Sequence, residues 1–191
     1  MRSRTAPRIA GLCATLAIGL LASAYPATAH ATVVVAQSRA QLVERADLIV
    51  RATVVSQQSA WNEDHTQILT LTRLRVAEYV KGQAAGELLL RQFGGQIGSL
   101  ASRVAGDGHL AAGQDVVLCL RQGAGVVYLS ALAQSVWFID AATGHVRRDF
   151  SETTFAVSQG GRYALTDPPT ETSESVTQLI ASLRALGGGA R

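Results

Sequence analysis

Residues 46–56 read ADLIVRATVVS. Leu48, Val50, Ala52 and Val54 share one parity, and Ile49, Arg51, Thr53 and Val55 share the other. In a strand these sets face opposite ways, and both are dominated by apolar and β-branched residues. The stretch therefore reads as an almost continuously apolar strand interrupted by one arginine. The expected role of Arg51 is to solvate the outer face or to pair with a carboxylate on a neighbouring strand.

Downstream, a polar tip, SQQSAWNEDHTQ, leads into a long return strand, ILTLTRLRVAEYVKG. There Leu74 and Val76 keep one parity, Ala77-Glu78 breaks it, and Tyr79 and Val80 are adjacent. A broken period of this kind suits a β-bulge, which bends and twists a strand enough to help close a small sheet. Lys81-Gly82 marks a turn, and ELLLRQF is a third strand. Residues 94–113 are glycine-rich, with one helical turn expected in SLASRVA. DVVLCLR and VVYLSAL form a fourth and a fifth strand around the turn QGAG. SVWFID and HVRRDF then predict a hairpin about Ala142-Thr143-Gly144. The link TDPPTETS leads to a final helix whose apolar face carries Val176, Leu179, Ile180, Leu183 and Leu186, with 187–189 as its stop.

Upstream, residues 32–37 are a short apolar segment, and Ser38-Arg39-Ala40-Gln41 fits a capping box. A helix from Arg39 to about Ala46, burying Leu42, Val43 and Ala46, is expected. The first 31 residues combine Arg2, Arg4 and Arg8, an apolar run from Ile9 to Tyr25, and the small-residue sites Ala27-Thr28-Ala29 and Ala29-His30-Ala31. That is the pattern of a removable secretory signal, and it predicts a secreted or periplasmic protein. Those arginines are the only charged residues of the segment, so the formal charge of +3 resides there and the remainder is neutral. Neutrality gives no support to nucleic acid or an anionic membrane as a partner. Cys119 is the one cysteine beyond the leader and, within an apolar strand, is expected to be a buried, inert thiol.

Five strands with an irregular third-to-fourth connection follow the order of an OB-fold. The expected fold is thus all-β: an OB-type small barrel spanning 32–170, with a C-terminal hairpin and an amphipathic helix in 171–191. The opening strands resemble the N-terminal domain of tissue inhibitors of metalloproteinases and the related netrin-like modules. Asp47, Leu48, Ile49, Ala52, Val54, Tyr79, Lys81 and Gly82 stand at the places of that family's strand–loop–strand pattern. The resemblance covers about 50 residues well and the strands up to Leu132 by pattern. It implies an OB-type barrel that contacts another extracytoplasmic protein, with a metallopeptidase as the partner class. The family's animal members are disulfide-stapled and chelate zinc through an N-terminal cysteine, which this chain lacks. His30 would be a metal ligand only if cleavage made it the first residue.

No catalytic signature is present, and the expectation is a non-enzymatic binding module without a cofactor. The tip Trp61-Asn62-Glu63-Asp64-His65 is the candidate recognition loop, against the plainer reading of a solvated turn. A triad of His109 and Asp107 with Ser99 or Ser102 has no nucleophile elbow to support it. His65, His109 and His145 are scattered singly, without metal-ligand spacing. Arg147-Arg148 reads as an exposed edge pair. The alternative function is a ligand- or glycan-binding OB-fold protein.

Overall fold

The computed structural model describes residues 32–84, 86–170 and 172–188. The expected leader, its cleavage sites and His30 lie outside the described residues. Among those described, no helix is long and apolar enough to cross a membrane.

The chain opens with strand β1 (Thr32–Val35) and helix α1 (Arg39–Arg45). The helix begins at the expected capping box, with the Gln41 N–H bonded to Ser38 Oγ and the Ser38 N–H to Gln41 Oε1. Strand β2 (Leu48–Trp61) pairs antiparallel with β3 (Ile68–Lys81), which pairs with β4 (Leu88–Phe93). A small hairpin, β5 (Gly95–Ile97) and β6 (Leu100–Ser102), precedes β7 (Asp115–Gln122) and β8 (Val127–Leu129). The helical turn expected in SLASRVA is absent: Gly94, Gly95 and Gly98 all have positive φ, and the chain reverses into β6 instead.

Strand β7 pairs antiparallel with β2 and with β8, and β8 meets β4 in parallel at Leu90–Val127. The ring β7-β2-β3-β4-β8 is therefore closed, and its order is that of an OB barrel. Closure relies on bends. Along the β2–β3 ladder the register passes over Ala77 and Val80 on β3 and over Val55 on β2. The bulges thus fall where the alternation of β3 breaks.

Beyond the barrel come a 3-10 turn (Leu132–Ser135), β9 (Val136–Ile139) and β10 (His145–Arg147). The β9–β10 hairpin sits where expected, and Asp140 Oδ1 accepts from the amides of Thr143 and Ala142 and from the Thr143 hydroxyl. Those bonds hold the Asp140 carboxyl below its usual range. A second hairpin, β11 (Thr153–Gln159) and β12 (Arg162–Thr166), joins β1 in a separate three-stranded sheet. The short β13 (Glu174–Ser175) pairs with β10 and leads into α2 (Val176–Gly188). The helix continues through Gly187 and Gly188 rather than stopping there. Ser175 and Gln178 supply a second reciprocal cap at its start.

Two cores share the same strands. Leu48, Val50, Ala52 and Val54 fill the barrel with Leu74, Leu90, Val116, Leu118 and Leu120. Ile49, Val117, Cys119 and Trp137 face outward into a second cluster roofed by Leu42 and Val43 of α1 and Leu179 and Leu183 of α2. Because β2 and β7 are covered on both faces, their sequences are almost continuously apolar. Arg39 ties the helices together, donating to both carboxylate oxygens of Glu174 and to Ser182 Oγ. Burial pushes the Cys119 thiol up to about 12, so it stays protonated. Arg51 lies opposite Glu78, whose carboxylate is engaged by Arg184 of α2.

Candidate functional site: a ridge of exposed aromatics at one rim

The far halves of β2 and β3 run beyond the barrel core, and residues 56–61 are largely exposed. Asn62 builds the tip of this arm. Its Oδ1 accepts from the amides of Thr66 at 2.8 Å and Gln67 at 3.0 Å, while its Nδ2 donates to Thr66 Oγ1. His65 adopts a positive φ of 53° and lays its ring near that of Trp61, with centroids 6.4 Å apart and planes inclined by 28°. An asparagine-organised turn therefore presents Trp61, which is 38% exposed.

The β5–β6 hairpin is fastened beside this arm by hydroxyls. Ser59 Oγ and Thr70 Oγ1 are 3.1 Å apart; Thr70 also donates to the Gly94 carbonyl, and Ser59 accepts from the Gln96 amide. A Cβ at Gly95 would lie 2.3 Å from Ser59 Oγ and 2.4 Å from Thr70 Oγ1, so only glycine permits this approach.

Phe93, at the end of β4, is 54% exposed and stands between the tip and the β5–β6 hairpin. It borders three adjoining open grooves. The first, of about 480 Å³, runs between Trp61, Ile68, Phe93, Leu100 and Val104. The second, of about 440 Å³, lies under the tip and gathers Trp61, Glu63, Asp64, Leu69 and Arg91. The third, of about 320 Å³, has Gln57, Gln92, Gln96 and Asp107 in its walls. Gln92 is held by its amide nitrogen, which donates to Asp107 Oδ2 and to the Gly108 carbonyl. Burial raises the Asp107 pKa above the usual carboxylate value, opposed by hydrogen bonds from Gly108 and Gln92 and by the nearby His109.

The tip residues are thus brought to one place but divide by role. His65 lies against the Trp61 ring, and Asn62 holds the turn while also lining the second groove with Trp61, Glu63 and Asp64. Phe93 and Leu100 were not singled out from the sequence. Phe93 follows Leu89 and Arg91 on the parity of β4 opposite to the buried Leu88 and Leu90, and an aromatic there is the signal that would have found it.

The imagined triad is not assembled. His109 Nε2 lies 3.2 Å from Glu152 Oε2 and within hydrogen-bond range of Arg103, which pairs with Glu152 at 2.6 Å. Asp107 bonds to Gly108 and Gln92, and no hydrogen bond joins Ser99 or Ser102 to His109 among the described residues. These groups tie the glycine-rich connection to the segment before β11. Among the described residues, no cluster of three or more His, Cys, Asp or Glu side chains could hold a metal ion. Arg148 is not an exposed edge residue. It stacks over Trp137 and Phe150, immediately after β10, which lies between β9 and β13.

Compared with known proteins, the chain matches no family model and no curated protein sequence.

Proposed function

We propose that this protein is a non-catalytic, extracytoplasmic binding module that grips another protein at the Trp61–Phe93 ridge, with a metallopeptidase the first partner class to test. One observation carries the reading. Trp61, Phe93 and Leu100 are exposed together at one rim, on a scaffold of hydrogen-bonded turns that fixes them in place. Interfaces draw most of their energy from a few such anchors, aromatic ones above all. Preorganisation lowers the entropy lost on docking.

The glutamine-lined groove beside the ridge supports a second reading, a ligand- or glycan-binding barrel. The exposed Phe93 ring next to the side chains of Gln57, Gln92 and Gln96 provides both a stacking surface and hydroxyl partners.

The test is a titration of the protein against the metallopeptidase activity secreted by its own organism, alongside Trp61→Ala and Phe93→Ala. Stoichiometric inhibition that both substitutions weaken by tenfold or more supports the first reading. Absence of inhibition at large excess, with Trp61 fluorescence responding to oligosaccharides, would transfer the ridge to the second.

A further inference from the structure

The three-stranded sheet, away from the ridge, treats its two edges differently. The outer edge of β1 is occupied at its C-terminal end. The buried Gln134 carboxamide donates to the Val35 carbonyl at 3.1 Å and accepts from the Gln37 amide at 2.8 Å, as a neighbouring strand would. The outer edge of β12 pairs with nothing among the described residues. All five of its residues are exposed, including Tyr163 and Leu165 at 72% each. Proteins blunt such edges with lysine, proline, bulges or short length. Here the β11–β12 register is unbroken over five pairs, the single charge is Arg162 at one end, and the first proline is Pro168.

The turn fixes which backbone groups are free. Gly160 and Gly161, both with positive φ, form a two-residue connection closing on the Gln159–Arg162 pair. Hydrogen-bonded and non-bonded pairs alternate from there, so Arg162, Ala164 and Thr166 bond inward to β11. The N–H and C=O groups of Tyr163 and Leu165 therefore point outward.

We propose that β12 is the interface of a symmetric homodimer, pairing antiparallel with β12 of a second copy about a two-fold axis at Ala164. This register is self-complementary. Tyr163 meets the partner's Leu165 in a hydrogen-bonded pair, and Leu165 meets the partner's Tyr163 likewise. The close, non-bonded pair at the axis is Ala164 with the partner's Ala164, small enough for the shorter Cα separation of such pairs. Arg162 falls opposite the partner's Thr166, so no like charges face each other. The two three-stranded sheets become one continuous sheet, and the interface is isologous. A contact of this length lies at the small end of specific interfaces, so the dimer is concentration-dependent.

The experiment is sedimentation equilibrium on the purified protein across micromolar to millimolar concentrations. Reversible monomer–dimer association is expected. Leu165→Pro removes an outward N–H without touching the bonds to β11, and Tyr163→Lys with Leu165→Lys sets lysines against one another. Each should weaken association at least tenfold while leaving the monomer's circular dichroism unchanged. A second substitution pair, Val33→Ser with Val35→Ser, alters exposed β1 residues on the same sheet face and spares the edge. A chain monomeric throughout that range overturns the proposal. So does a dimer that the β12 variants leave intact and the β1 pair abolishes, since that would be face packing.

Discussion

Gly82 has φ +68°, and a Cβ there would come within 2.5 Å of the Asp47 carbonyl oxygen and 2.8 Å of Leu48 Cδ2. Beside it, Lys81 Nζ donates to the carbonyls of Val43 and Ala46 at 2.7 Å each, satisfying the last turn of α1. Tyr79 donates to the Ala84 carbonyl, and Asp47 accepts from the Gln122 amide. Of these four residues of the strand–loop–strand resemblance, Lys81 and Gly82 lock the end of β3 to α1 and to the start of β2, Tyr79 fastens the loop that follows β3, and Asp47 fastens the end of β7. They act within the fold, far along the strands from the exposed ridge. Gly82→Ala should lower stability by about 2–4 kcal/mol through strained φ and contact with backbone, read by urea unfolding. Trp61→Ala, by contrast, should change stability by less than about 1 kcal/mol, since its ring is part of the surface. Cys119 gives a pH prediction. Its pKa rises from an ordinary 9.0 to about 12 in the folded protein, because burial disfavours the thiolate. The unfolded chain therefore releases that proton first, and stability falls as pH climbs from 9.0 toward about 12, with no contribution to the slope below that window. Cys119→Ser should flatten that slope, and thiol reagents should reach Cys119 only after unfolding.

At the scale of elements, α2 covers the outer faces of β2 and β7 through Leu179 and Leu183. Leu183→Ala should cost about 3 kcal/mol, the usual range for a fully buried leucine, measured by denaturant midpoint. What was legible beforehand follows the same logic of local and distant causes. The capping box at Ser38, the apolar stripe of α2 and the bulges near Ala77 and Val80 are written in spacings of a few residues, and they appear in the fold. SLASRVA misleads because Leu100 and Val104 stand one helical turn apart, while the neighbouring glycines, which permit the reversal into β6, carry no periodic signal. The β11–β12 hairpin carries a legible local signal that the sequence reading leaves unassigned, Gly160-Gly161 between two strand-like runs. The ridge was half visible. Trp61 advertises itself at a polar tip, but its meeting with Phe93 and Leu100 depends on β4 and β5–β6 folding back beside the arm, which no local pattern encodes.

For the whole molecule, the barrel interior and the outer cluster are two sides of the same strands. Val116, Leu118 and Leu120 face one core while Val117 and Cys119 face the other. Neither core can be lost alone, so unfolding should be a single cooperative transition. In a Trp61→Phe background the fluorescence of buried Trp137 should then change at the same denaturant concentration as the far-ultraviolet circular dichroism. Two separated midpoints would show that the helices leave the barrel first. The pairing of β1 bears on time as well as on stability. Val34 takes its place beside Phe155, so the first described strand has no strand neighbour until β11, well over a hundred residues downstream, has been synthesised. Loop closure across that span is slow compared with the formation of a hairpin or a helix. A ribosome-bound fragment lacking β11 would leave Val33, Val34 and Val35 without their sheet, and β1 can take its place only once β11 has emerged.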